Sequence, residues 1–155
     1  MASTTIILPA DYGYVVLVAL GAIPVLAFGQ GMVVSTKRKA AKVPYPNYEA
    51  SIQQVKESRD AYVFNAAQRA HGNLLENMSQ TVLMMLVGGL AYPRLAAAMG
   101  AGWVLCRALF AYGYVTSTKP HGKGRYLGGA FWLFQAGFWG LSCAVGFKLL
   151  NGSLI

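Results

Sequence analysis

The sequence predicts an all-α integral membrane four-helix bundle, and three observations carry that prediction. Of the 155 residues, 55% are hydrophobic and only 12% charged, about half the charged fraction of an ordinary soluble domain. The mean hydropathy is +0.43. The apolar residues fall into four segments, Tyr12–Val34, Tyr62–Leu90, Leu95–Thr116 and Leu127–Leu150, each near the ~20 residues that a spanning helix needs. Residues 1–155 therefore read as a single polytopic membrane domain. Nothing in the composition competes with this: the 18 Gly and 6 Pro follow no period, and the 2 Cys lie inside apolar runs, where burial is expected to leave both Cys106 and Cys143 unreactive.

The first helix follows Asp11 without a basic leader, and its apolar run is too long for a signal-peptide core, so it is expected to remain as an anchor. Pro24 predicts a kink of the kind membrane helices tolerate. After Ser35-Thr36-Lys37-Arg38-Lys39, the stretch Val43-Pro44-Tyr45-Pro46 cannot begin as helix, because proline restricts itself and its predecessor. In the fourth helix Ala136, Gly140 and Ala144 form a small-residue stripe suited to close helix packing.

The net charge of +8 does not point to nucleic acid, because the basic residues sort by side. Lys37, Arg38, Lys39, Lys42, Lys56 and Arg59 in the first loop and Lys119, Lys123 and Arg125 in the third oppose only Arg94 and Lys148. That asymmetry predicts loops one and three in the cytosol, where the same cations also meet anionic membrane lipids.

The second segment is far too polar to face lipid. An arginine at the centre of a spanning helix costs about 3 kcal/mol on the insertion scale, yet this segment carries Arg69 and Glu76 with several amides. At helical spacing Asn65, Arg69, Asn73, Glu76 and Gln80 fall within one arc of about 80°. They must face protein or a water-filled cavity. His71 points about 200° away from Arg69. On the third segment Trp103, Arg107, Phe110 and Tyr114 share an arc of about 60°, placing a cation in an aromatic wall. With Lys119, Lys123 and Arg125 at the mouth, the pattern describes a positively biased cleft. The bland alternative is an internal Arg69–Glu76 ion pair with Arg107 snorkelling to the interface. A small channel lined by the stripe needs no more than the stripe itself. No pair of His or Cys has metal-ligand spacing.

Arg69-Ala70-His71-Gly72-Asn73-Leu74-Leu75-Glu76 resembles the R-x-H-x-N-x-x-E signature of the membrane-associated proteins in eicosanoid and glutathione metabolism. The stretches Val34–Pro46, Phe64–His71, Tyr92-Pro93-Arg94 and Arg107–Tyr114 keep the order and spacing of the type 3 microsomal glutathione S-transferase branch of that family. The resemblance implies a homotrimer with glutathione as cosubstrate between neighbouring protomers, near the cytosolic end. By motif position Arg69, Asn73 and Glu76 correspond to the family's glutathione-binding residues, with His71 in the same signature. Arg107 and Tyr114 correspond to its third-helix contacts, and Arg38 to the basic residue ending the first helix. Arg125 corresponds to the arginine that ionises the thiol in leukotriene-forming members, with Lys123 as the alternative in the same loop. Those members carry Tyr where this chain has Phe110, which removes one hydroxyl hydrogen bond to the tripeptide.

The chemistry suits the charges: glutathione carries two carboxylates and one ammonium, which several guanidiniums and one carboxylate complement. The implied activity is conjugation of the glutathione thiolate to lipophilic electrophiles, reduction of lipid hydroperoxides, or leukotriene C4 synthesis. The alternative is a non-catalytic lipid-presenting protein of the 5-lipoxygenase-activating type. The implied location is the endoplasmic reticulum (microsomal) membrane, with the mitochondrial outer membrane as the alternative. The charge asymmetry yields a direct test. Cysteines introduced into the loops Lys37–Asp60 and Ser117–Arg125 should label in sealed microsomes; labelling only after permeabilisation would reverse the topology.

Overall fold

The computed structural model describes residues 8–152. Its elements are α1 (Tyr12–Ala40), a short α2 (Ile52–Glu57), α3 (Arg59–Gly89), α4 (Pro93–Thr116), a 3-10 segment (Pro120–Gly128) and α5 (Phe131–Leu150). The helices begin and end where local chemistry dictates. Helix α1 runs past Val34 and carries Lys37, Arg38 and Lys39 in its last turn, where cations complement the exposed carbonyl end. The Ser58 hydroxyl accepts from the Ala61 amide and Asp60 occupies the first turn, so α3 starts at Arg59 rather than Tyr62. Pro93 opens α4 at a position where its missing N–H costs nothing.

Among the described residues, three helices, α1, α4 and α5, are long and apolar enough to cross a membrane. This corrects the expectation of four apolar spans. With 31 residues, α3 extends about 46 Å and has ample length, but its charged and amide side chains lower its hydropathy. Packing accounts for part of that polarity, since α3 touches α1, α4 and α5 and buries Gln68, Asn77 and Thr81 among them. Leu74 and Met85 of α3 join Val15, Ile23, Trp103, Phe131 and Phe138 in the main core.

Pro24 produces a wide turn. Its ring crowds the carbonyl four residues earlier and it has no N–H to donate; residues Leu17–Ala22, just before it, wind as a π-helix, which lets α1 continue without breaking. The small-residue stripe of α5 is largely unpacked within the chain: Ala136 and Gly140 are exposed and Ala144 is half-buried, and Gly137 instead faces Met99 of α4. Cys143 is likewise exposed and Cys106 half-buried, against the expectation that both are buried.

The first loop is tied down by two side chains. Arg38 donates to the carbonyls of Asn47 (2.6 Å) and Tyr48 (3.4 Å) and is sandwiched between the rings of Tyr45 and Phe64. The Asn65 amide exchanges two hydrogen bonds with the Ala50 backbone, at 2.8 and 2.9 Å. A capping box, Ser51 with Gln54, then starts α2.

Residues Pro120–Gly128 lie along α4, which is why α5 begins at Phe131 and not at Leu127. Glycine makes this approach possible. A Cβ on Gly128 would overlap the Cys106 carbonyl and the Phe110 amide, and one on Gly124 would overlap the Gly113 carbonyl. Gly122 adopts φ +62° against the Tyr114 ring, a conformation that favours glycine. Gly128→Val should therefore force the segment off α4, destabilising the protein by about 1–3 kcal/mol, read as a lowered midpoint of thermal unfolding in detergent.

Candidate functional site

The polar residues of α3 and α4 form one connected chain beside a cleft. The Arg107 side chain is fully buried, with its guanidinium 4.4 Å from the Phe131 ring centroid, 4.9 Å from Phe110 and 5.6 Å from Trp103. Its Nη1 donates to Asn73 Oδ1 at 2.8 Å, and Asn73 Nδ2 donates to Glu76 Oε2 at 3.2 Å. Glu76 Oε1 lies 3.5 Å from Arg69 Nη1. Asn73 thus faces a cation with its oxygen and a carboxylate with its nitrogen, which is the only amide orientation that satisfies both.

This arrangement corrects one expectation and bears on another. Arg107 does not snorkel; its position in mid-α4, behind three rings, directs it into the bundle. The Arg69–Glu76 pair does form, but both side chains remain open, with 61% and 55% of their surfaces exposed. An ion pair that open contributes little, so both partners stay available to another charged molecule.

The cleft, of about 330 Å³, is lined by Arg69, Asn73, Phe110, Tyr114, Arg125, Phe131 and Trp132. A second cleft, reaching toward the first loop, shares Arg69 and Tyr114 and adds Glu49, Tyr62 and Asn65. Arg125 enters from the 3-10 segment, where its Nη1 donates to the carbonyls of His121 (2.9 Å) and Gly122 (3.0 Å) and its plane lies 4.7 Å from the Tyr126 ring centroid. Lys123, the alternative cation of that loop, is exposed and does not line the cleft. Phe110 packs edge-on against Tyr114 at 5.8 Å, so the wall is apolar where a tyrosine would present a hydroxyl.

Arg69, Asn73, Glu76, Arg107, Tyr114 and Arg125 are thus brought together; Arg38 and His71 are not. The Arg38 guanidinium is engaged by the loop carbonyls of Asn47 and Tyr48. The His71 ring turns toward Gly31 of α1, 3.9 Å from where a Cβ would stand, and its Nδ1 is buried without a partner among the described residues.

A supporting set of residues escaped the reading of the sequence. Gln135 Oε1 accepts from Trp103 Nε1 (3.2 Å) and Thr81 Oγ1 (2.7 Å), and Asn77 Nδ2 donates to the Asn73 carbonyl (2.8 Å). These bonds join α3, α4 and α5 beside Arg107. The available signal was Gln135 itself, an amide in the otherwise apolar run Phe131–Leu141, since buried amides in such helices require partners.

Two Arg107 donors, Nε and Nη2, have no partner among the described residues. A buried guanidinium in that state depends on Asn73 and on the ring faces, each worth about 2 kcal/mol when desolvated. Asn73→Leu should consequently lower stability by about 2–3 kcal/mol, and adding Arg107→Met should recover most of the loss. Thermal unfolding of the two variants measures this, and an equal loss in both would sever the proposed coupling.

Among models of known protein families, that of the MAPEG family matches residues 16–144 of the chain, a span that includes every cleft residue named above.

Proposed function

The chain belongs to the MAPEG family, and from that premise we propose that it is a glutathione transferase and peroxidase acting on lipophilic substrates. Members of this family are mostly glutathione-dependent enzymes, and the chain is an integral membrane protein. The observation that carries the proposal is the charge arrangement of the cleft: Arg69 and Arg125 line it, and Glu76, bonded to Asn73, stands beside Arg69. Glutathione offers two carboxylates for guanidiniums and an ammonium for the carboxylate.

In this reading Arg69 and Glu76 exchange their mutual contact for the carboxylate and ammonium of the tripeptide, and Tyr114 flanks it. Arg107, one layer beneath, keeps Asn73 oriented. Arg125 sets the thiol. A thiol of pKa near 8.5 is only a few per cent ionised at pH 7, and a shift of about two units beside a guanidinium makes the thiolate the main form. The thiolate then attacks an electrophilic carbon; the bond to the leaving group breaks and that group departs with its electron pair. Toward a lipid hydroperoxide the thiolate attacks the terminal oxygen, the O–O bond breaks, and the alkoxide takes a proton to become the alcohol. A second glutathione resolves the resulting sulfenic derivative to disulfide and water.

The more than half-exposed Arg69 and Glu76 side chains support a homotrimer in which a neighbouring copy covers them, because an intramembrane ion pair open to lipid is costly. Within the family the type 3 microsomal branch fits best, on the motifs of α3 and α4, and with it the endoplasmic reticulum membrane. Arg38 and His71 would reach the tripeptide only as contributions to an adjoining subunit's cleft.

Arg69→Ala should weaken equilibrium glutathione binding by about 2–5 kcal/mol while the assembly and its unfolding midpoint persist. Unchanged affinity would return the polar stripe to a structural role. Binding without turnover, with either a generic electrophile or a lipid hydroperoxide, would favour lipid presentation over catalysis.

A further inference from the structure

A carboxylate without a cation stands beside the proposed glutathione cleft. The second cleft, of about 400 Å³, adjoins the first through Arg69 and Tyr114 and is bounded on its loop side by Glu49, Val55 and Tyr62. Glu49 is exposed, and its carboxylate pairs with no cation among the described residues. The backbone that carries it is nevertheless held on both sides. Before it, the Tyr48 carbonyl accepts from Arg38, and the Tyr48 hydroxyl lies 3.2 Å from where a Cβ on Gly72 would stand. After it, the Ala50 backbone exchanges its two hydrogen bonds with Asn65. Arg38 and Asn65 therefore fix the position of Glu49 although neither touches its side chain, the kind of support a preorganised binding group requires.

A second cation stands over the same cleft. The Arg59 guanidinium lies 4.9 Å from the ring centroid of Tyr62, and its Nη2 donates to the Ser117 carbonyl at 3.0 Å. With Arg69, the second cleft thus presents two guanidiniums and one carboxylate. The first cleft offers the same complement in Arg69, Arg125 and Glu76. Two carboxylates and one ammonium answer it, and each cleft alone falls within the roughly 300–1,000 Å³ of small-molecule sites. Arg69, with five donors in a planar fork, can serve a carboxylate on either side.

We infer that the second cleft binds a second glutathione, whose thiol resolves the sulfenic derivative left by peroxide reduction. The inference rests on glutathione occupying the first cleft. The ammonium of the second tripeptide meets Glu49, its carboxylates meet Arg59 and Arg69, and its thiol faces the Tyr114 wall that both clefts share. That thiol gives up its proton and attacks the sulfur of the sulfenic derivative. An S–S bond forms as the S–O bond breaks, and hydroxide leaves with the bonding pair and takes a proton to become water. Conjugation consumes one glutathione and does not use the second cleft.

The test uses the full-length protein in phosphatidylcholine nanodiscs. Equilibrium dialysis should find two glutathione molecules per protomer. In Glu49→Gln and in Arg59→Gln the weaker of the two should lose affinity by about tenfold or more, with the tighter one and the unfolding midpoint unchanged. Reduction of a lipid hydroperoxide at fixed glutathione should slow by a similar factor in both variants, while the KM for glutathione in conjugation to a generic electrophile stays the same. One glutathione per protomer in the unaltered protein, or two of unchanged affinity in both variants, would overturn the inference. A conjugation KM that rises as much as peroxide reduction slows would overturn it too, by showing a single tripeptide spanning both clefts. Each of those results leaves glutathione in the first cleft, whereas no glutathione binding at all would remove the first site along with the second.

Discussion

A guanidinium sealed from water inside the bundle is the constraint on which the rest of this structure depends. Arg107 is fully buried, and a cation in that position persists only if its surroundings replace the hydration it has lost. Three ring faces and the Asn73 oxygen do so. The consequences spread outward from there. Asn73 is locked in one amide orientation, its nitrogen is turned to Glu76, and Glu76 is drawn toward Arg69. Behind the cation, Gln135 holds Trp103 and Thr81, so the helices that supply the rings are joined to the helix that supplies the amide. The charged wall of the cleft is therefore organised from beneath, by residues that a solute in the cleft need not touch.

The opposite wall is set by the absence of side chains. Glycines at 113, 124 and 128 bring the 3-10 segment against the α4 backbone, and only at that separation does Arg125 share a cleft with Arg69 and Tyr114. The carbonyls of His121 and Gly122 hold its guanidinium, which limits its reorganisation when a negative charge develops nearby, the condition under which electrostatic stabilisation is most effective. One basic residue is thus carried by a short irregular element and the others by rigid helices.

Much of this is legible in the periodicity of the sequence. The arc through Asn65, Arg69, Asn73 and Glu76 and the arc through Trp103, Arg107, Phe110 and Tyr114 follow from helical geometry alone, and the structure joins the two arcs through the Arg107–Asn73 hydrogen bond. Long-range contacts were not readable. Arg38 ends a helix in the sequence, but its partners are carbonyls of a loop nine and ten residues later. The Gly122-Lys123-Gly124 stretch has meaning only against Gly113 and Tyr114 of another helix. Proline signalled a disturbance in α1, and the backbone resolved it as a π turn upstream of Pro24. The polarity of α3 was legible as unfit for lipid, but the helices that shelter part of it, α1, α4 and α5, were not.

The central claim is that the cleft binds glutathione and ionises its thiol. The most direct measurement is the ultraviolet absorbance of the thiolate of bound glutathione, titrated against pH in the purified protein. The account predicts ionisation about two pH units below that of free glutathione, with the shift lost in Arg125→Gln while binding persists. A bound thiol that titrates as it does in water, with Arg125 intact, would contradict it.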